Sequence, residues 1–176
     1  MKKLILSLVM TLSLACAAFA ADTGSLFNAN ELQVTLGTSY VVDYQAKNIE
    51  SAFAAPYDFN LEAGVSYFLT RNLGLEAWVP FYQTEGVSVS EVQAGLLFRL
   101  PLASETPLFK NIAPYLGLGG VYTWENGSEW AYIAKVGAEW RFNKKWGLFA
   151  EGQYRNQDFE WNKGATIIAG GLRLCF

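Results

Sequence analysis

Histidine is absent from this 176-residue chain and cysteine occurs twice, at Cys16 and Cys175. The first absence removes the usual general base of hydrolytic triads and the commonest zinc ligand; the second leaves too few thiolates for a structural metal site. No Gly-rich loop opens onto a helical pattern, so no nucleotide motif is present. Basic residues are outnumbered, 13 against 16, which denies nucleic acid an electrostatic footprint. The one long apolar run, Leu4 to Ala15, falls short of the roughly 20 residues a spanning helix needs. These absences point away from an enzyme, a cofactor carrier and a helical membrane protein, and no cofactor or metal is expected.

Hydrophobic residues nevertheless make up 52% of the chain, so they must be dispersed in short segments. The N-terminus accounts for one of them. Met1-Lys2-Lys3 is a basic start, Leu4 to Ala15 an apolar stretch, and Ala18-Phe19-Ala20 a small-x-small cleavage site. Residues 1–20 read as a secretory signal peptide cut between Ala20 and Ala21, leaving 21–176 as one domain. Cys16 raises a lipoprotein alternative, but Ser13 stands where a lipobox usually carries Leu. After cleavage Cys175 is alone and no intrachain disulfide can form. Loss of Lys2 and Lys3 moves the net charge from −3 to −5.

The rest alternates with a period of two, not 3.6. Leu32, Val34, Leu36 and Tyr40 fall on one side of the first segment, Gln33, Thr35, Gly37 and Ser39 on the other. Seven further segments follow, near 56–68, 73–82, 90–100, 113–124, 130–142, 146–155 and 165–176. All align with their charges on one face, although Leu116-Gly117-Leu118-Gly119-Gly120 has too little polarity to fix the orientation of the fifth. Connectors 69–72 and 143–145 are very short, whereas 43–55 and 156–164 are longer and polar. Asn126-Gly127 is a strong hairpin signal, since both residues tolerate positive φ. The glycines of the fifth segment suit curvature or close packing within a strand.

Face assignment makes the pattern specific. The outward rows carry no charge: Leu61, Ala63, Val65, Tyr67; Leu73, Leu75, Ala77, Val79, Phe81; Val92, Ala94, Leu96, Phe98, Leu100; and, later, Ala134, Val136, Ala138, Leu148, Ala150. Aromatics fall near the row ends, Tyr40, Tyr57, Phe81, Tyr122, Trp124, Tyr132 and Tyr154 at one rim, Tyr67, Phe98, Trp140, Phe142, Trp146 and Phe176 at the other, as two interfacial girdles would require. The inward face collects Glu62, Glu76, Glu91, Glu139 and Glu151 against Arg99, Lys135, Arg141, Arg155 and Arg173, which can pair across a lumen that Phe68, Trp78, Tyr82, Leu97 and Phe149 help to fill. The expected fold is all-β: an eight-stranded antiparallel up-and-down transmembrane barrel.

Two hairpins resemble each other: Tyr67-Phe68-Leu69-Thr70-Arg71-Asn72-Leu73-Gly74-Leu75-Glu76-Ala77 lies on Trp140-Arg141-Phe142-Asn143-Lys144-Lys145-Trp146-Gly147-Leu148-Phe149-Ala150. Through these, the Ala113-Pro114-Tyr115-Leu116-Gly117-Leu118-Gly119 segment and the terminal Phe176, the chain from Ala21 onward resembles the small outer-membrane barrels of OmpA/OmpX type. The resemblance implies that Phe176 is read by the outer-membrane assembly machinery. With both termini at the periplasmic rim, an even strand count follows. The reading that follows is a monomer in lipid and lipopolysaccharide, non-catalytic, with a packed polar lumen and a structural or surface-interaction role. Two alternatives stay open: a narrow conduit for small or hydrophobic molecules, as in OmpW-like barrels, and a soluble periplasmic lipocalin-like binding barrel. The loops are acidic, so a divalent-cation link to lipopolysaccharide is a further option, and they are too short for the protruding hairpins of an adhesin.

Overall fold

The computed structural model describes residues 26–44, 60–83, 87–88, 91–102, 106, 109–124, 129–157 and 164–176. The strands are β1 (Glu31–Tyr44), β2 (Asn60–Phe68), β3 (Leu73–Gln83), β4 (Val87–Ser88), β5 (Glu91–Arg99), β6 (Ile112–Thr123), β7 (Glu129–Arg141), β8 (Trp146–Gln157) and β9 (Gly164–Cys175). The two-residue β4 is an arm against the end of β3. The other eight form the wall, each antiparallel to its neighbours, and pairing of β1 with β9 closes it. This is the expected up-and-down barrel. The proposed signal peptide with Ala20 and Ala21, the rim aromatic Tyr57, the Asn126-Gly127 turn, most of the longer loops and the side chain of Tyr82 lie outside the described set.

Closure explains why the strands tolerate such a sequence. Each wall strand pairs with a neighbour on both sides, so no edge strand is left, and successive side chains alternate between wall exterior and lumen. Outside, Leu36 is 61% exposed, Val136 60% and Leu118 68%; inside, Glu139 and Arg141 are 0% exposed. That distribution is the inverse of what water requires, and it corrects the soluble lipocalin-like alternative: such a barrel would bury its leucines and solvate its charges. The fifth wall strand, β6, takes a definite orientation. Leu116 and Leu118 face out, while Tyr115, Gly117 and Val121 face in.

Two glycine positions show how tightly the wall is drawn. Gly119 lies opposite Gly95 on β5, and a Cβ on Gly119 would come within 3.0 Å of the Gly95 Cα, which bears out the close-packing reading of this segment. On Gly64 a Cβ would meet the Trp78 ring at 2.8 Å, so the indole fills the lumen only because its neighbour strand has no side chain there.

The rim that carries residue 31 also carries the short turns, and their resemblance in sequence becomes one in structure. Thr70 Oγ1 accepts hydrogen bonds from the N–H groups of Asn72 (3.2 Å) and Leu73 (2.9 Å). Asn143 Oδ1, at the aligned position, accepts from Lys145 (2.8 Å) and Trp146 (2.9 Å). Each turn is thus tied by one side-chain oxygen to the residues two and three further on. A third connector on this rim is longer. Between β5 and β6 the ladder continues past the strand ends, Leu100 N–H to the Pro114 carbonyl (2.8 Å) and Leu102 N–H to Ile112 (3.0 Å), before a 3₁₀ turn at Phe109–Asn111. Pro101 and Pro107 in this stretch cannot donate to a tight two-strand turn.

Candidate functional site: the lumen charge network

The inward stride of eight strands delivers charged side chains to three levels of one enclosed space. At the level of the short turns, Glu31 and Glu139 face Arg99, Arg141 and Arg173. Arg99 Nη1 lies 2.8 Å from Glu31 Oε1, and Arg141 donates Nη1–H to Glu31 Oε2 at 2.6 Å and Nε–H to Glu139 Oε1 at 2.6 Å. Arg173 Nη1 completes the set 2.8 Å from Glu139 Oε2. Gln33 Nε2 adds a hydrogen bond to Glu31 at 2.8 Å. Each guanidinium is also backed by a ring: Arg99 over Phe68 at 3.5 Å, Arg141 over Phe27 at 4.4 Å, Arg173 over Tyr115 at 4.7 Å. Stacked, ion-paired arginines suit burial because a weakly hydrated planar cation loses less on leaving water.

Phe27 enters this level from outside the wall. Residues 26–30 fold back beneath the barrel, turned by Asn30 at φ 55°, a conformation that Asn adopts more readily than most residues. The Phe27 ring is buried, and Arg99 and Arg141 donate to the carbonyls of Asn28 (2.9 Å) and Leu26 respectively. The chain thereby stoppers its own lower mouth.

In the middle level Lys135 Nζ sits 3.1 Å from Glu76 and 3.8 Å from Glu151, and 4.4 Å from the centre of the Trp78 ring. Trp78 Nε1–H donates to Glu76 (2.7 Å) and the Tyr115 hydroxyl to Glu151 (2.6 Å). Trp78 and Phe149 meet edge to face, 5.7 Å between centroids. At the upper level Arg155 pairs with Glu91 at 2.7 Å, and Gln93 donates to Glu91 at 3.1 Å.

All ten charges assigned inward are buried here, and two ion pairs cross the lumen, Glu76 with Lys135 and Glu91 with Arg155. One expectation needs correction. Among the described residues Glu62 makes no ion pair; Ser39 donates a hydrogen bond to its carboxylate, and Oε2 meets no hydrogen-bond partner. Arg99, the nearest in sequence of the five bases assigned inward, turns instead to Glu31, an acid outside the expected set. Glu31 escapes a reading that begins the first strand at Leu32, yet the inward stride through 33, 35 and 37 passes back through it. Phe27 gives no comparable signal, since it precedes any alternation.

The aromatic residues assigned to the rims all lie on the outer face where they are described: Tyr40, Tyr67, Phe81, Phe98, Tyr122, Trp124, Tyr132, Trp140, Phe142, Trp146 and Tyr154 are exposed or half-exposed. Trp130 joins them, 64% exposed and 4.8 Å from the Tyr122 ring. Phe176 is 69% exposed, while its backbone exchanges hydrogen bonds with Leu32 (2.8 and 3.2 Å). No group of three or more His, Cys, Asp or Glu among the described residues is arranged to hold a metal ion.

An enclosed charged lumen inside an apolar wall defines a membrane β-barrel protein of the small, eight-stranded class. Solved structures agree on the fold. The N-terminal β-barrel domain of OprF from Pseudomonas aeruginosa superposes with a TM-score of 0.60 at 13% identity, covering 85% of this chain and 99% of that one. The outer membrane protein OprG from the same organism gives 0.53 at 11% identity, with 85% and 97% covered. A transmembrane β-barrel designed de novo gives 0.54 at 18%, with 84% and 97% covered. That a barrel drawn without a biological role matches as well as a natural one shows that the likeness is of architecture. No family model and no curated protein matches the chain.

Proposed function

We propose that the protein is a monomeric integral barrel of the Gram-negative outer membrane, both termini periplasmic, whose lumen is closed by its own charge network and whose role is structural or surface-interactive, not catalytic. One observation carries this reading: five bases and their acid partners are buried in contact with one another, with Phe27, Phe68, Trp78, Tyr115 and Phe149 filling the space between them. A selectivity filter needs charges facing water, and ion pairs stacked on rings are a wall-to-wall packing. The apolar exterior is suited to lipid and, in the outer leaflet, to the acyl chains of lipopolysaccharide. Phe176, with its side chain free of the wall, is accessible to assembly machinery that reads a terminal aromatic residue.

The test is reconstitution in planar bilayers after confirming insertion by outer-membrane fractionation and by the mobility shift of unboiled against boiled protein. Insertion without steady conductance is expected. Stable ion-selective conductance, altered when Lys135 or Glu151 is neutralised, would replace the closed lumen with the narrow-conduit reading.

A further inference from the structure

Counting charge level by level isolates one residue. At the lowest level two carboxylates face three guanidiniums, and in the middle level Glu76 and Glu151 share Lys135. The surplus of the first level therefore offsets the deficit of the second, and Arg173 bridges them, stacked on Tyr115, whose hydroxyl holds Glu151. Above, Glu91 and Arg155 cancel. Six described lumen acids meet five bases, and the acid left over is Glu62.

Its surroundings are made of oxygen. Glu62 faces Gly37 across the β1–β2 ladder, and one step along the same inner face Asn60 faces Ser39. Glu62 and Asn60 are each 6% exposed, and Glu62 Oε2 and Asn60 Oδ1 both meet no hydrogen-bond partner; Glu62 is the one carboxylate of the described lumen that no base reaches. Two rings lie close by. Phe149 lies over Gly37, where a Cβ would meet it at 2.9 Å, and Trp78 lies over Gly64. Lys135, the base closest in the field, is already held between Glu76 and Glu151. A carboxylate buried near indole and phenyl rings with no base in contact lacks the ion-pair compensation that the other lumen carboxylates have.

We infer that Glu62, Asn60 and Ser39 form an intralumenal site for one hard monovalent cation, sodium or potassium. Hard cations take carboxylate, amide and hydroxyl oxygens. One carboxylate with neutral oxygen donors matches a single positive charge, and a divalent ion would leave the lumen with an excess of one positive charge where it now has an excess of one negative. The ion makes the described lumen neutral and gives Glu62 Oε2 and Asn60 Oδ1 a partner.

The experiment uses the full-length mature protein refolded in detergent micelles at neutral pH, with thermal unfolding followed in sodium chloride or in N-methyl-glucamine chloride at equal ionic strength. Binding to the folded state alone raises the midpoint with the logarithm of ion concentration. The midpoint is expected to climb with sodium in the wild type and to stay flat in the organic cation. Glu62→Gln should raise the half-saturating sodium concentration at least tenfold, while in the organic cation it should be no less stable than the wild type, since the variant no longer buries a lone charge. Asn60→Ala keeps the charge, removes one oxygen and should weaken sodium several-fold; it decides the matter if Glu62→Gln does not refold. A wild type indifferent to sodium, or a sodium response undiminished in both variants, overturns the site. So does an infrared carbonyl band of a protonated carboxyl in the wild type at neutral pH that disappears in Glu62→Gln, because a proton would then hold the place given to the metal ion.

Discussion

Arg141 touches both acids of the lower lumen, Glu31 and Glu139, as well as the Leu26 carbonyl and the Phe27 ring. Arg141→Ala should destabilise the barrel by about 3–5 kcal/mol, because removing one partner of a buried pair strands the other. Arg141→Lys should recover only part of this, since an ammonium lacks the planar fork that reaches Glu31, Glu139 and the Leu26 carbonyl at once. Urea unfolding in micelles measures both. On the opposite face of β7 the ranking is set by lipid. Val136→Arg should cost about 2–4 kcal/mol if it sits near mid-depth, whereas Lys135→Arg, one residue away and inside, should be mild. Residues of this kind were legible in the sequence because a period of two sorts charge from apolar surface without knowledge of the fold. The partner of each charge was not. Glu62 and Glu31 differ in whether a guanidinium reaches them, and that depends on the stagger between strands that are not neighbours in the chain, for which alternation carries no information.

Strand β9 carries two separable roles at its end. The Phe176 backbone bonds to Leu32 on β1, and its ring lies on the exterior. Deleting the residue removes both, but Phe176→Ala leaves the hydrogen bonds. If the ring is what assembly machinery reads, the alanine variant should lower the yield of assembled protein in cells while unfolding like the wild type once refolded; equal yields would show that the ring is incidental. Among the connectors, the two tight turns were readable because Thr70 and Asn143 belong to residue types that bond their own backbone. The longer connector between β5 and β6 was not, since nothing in the alternation says how far a ladder runs past its last regular pair. The stopper formed by residues 26–30 was equally hidden: Phe27 precedes the first strand and finds its place only because the arginines of β5 and β7 are there. Phe27→Ala should loosen that mouth, and reconstituted protein should then show brief conductance events that the wild type lacks.

At the scale of the whole molecule, an outer wall of leucine, valine and aromatic rings around a core of salt bridges reverses the arrangement of a water-soluble protein, and the same reversal made the fold readable from the strand pattern. The closing seam sets a different kind of constraint. β1 and β9 pair from Gln33 with Cys175 to Tyr44 with Ala165, so the first strand of the wall completes its hydrogen bonding only with the last. All other wall pairings join strands adjacent in the chain. The strand pairing of the cylinder is therefore local at every seam but one, and that one spans nearly the whole sequence. Loop-closure entropy falls on this single step, which makes it the natural late event of folding. Until it happens β1 and β9 are both open edges in a chain already rich in strand, able to pair with another molecule as well as with each other. Time spent before closure, more than the stability of the finished barrel, then governs how much of the protein is lost to association, and a change that slows the arrival of β9 acts on yield without touching any contact of the native state.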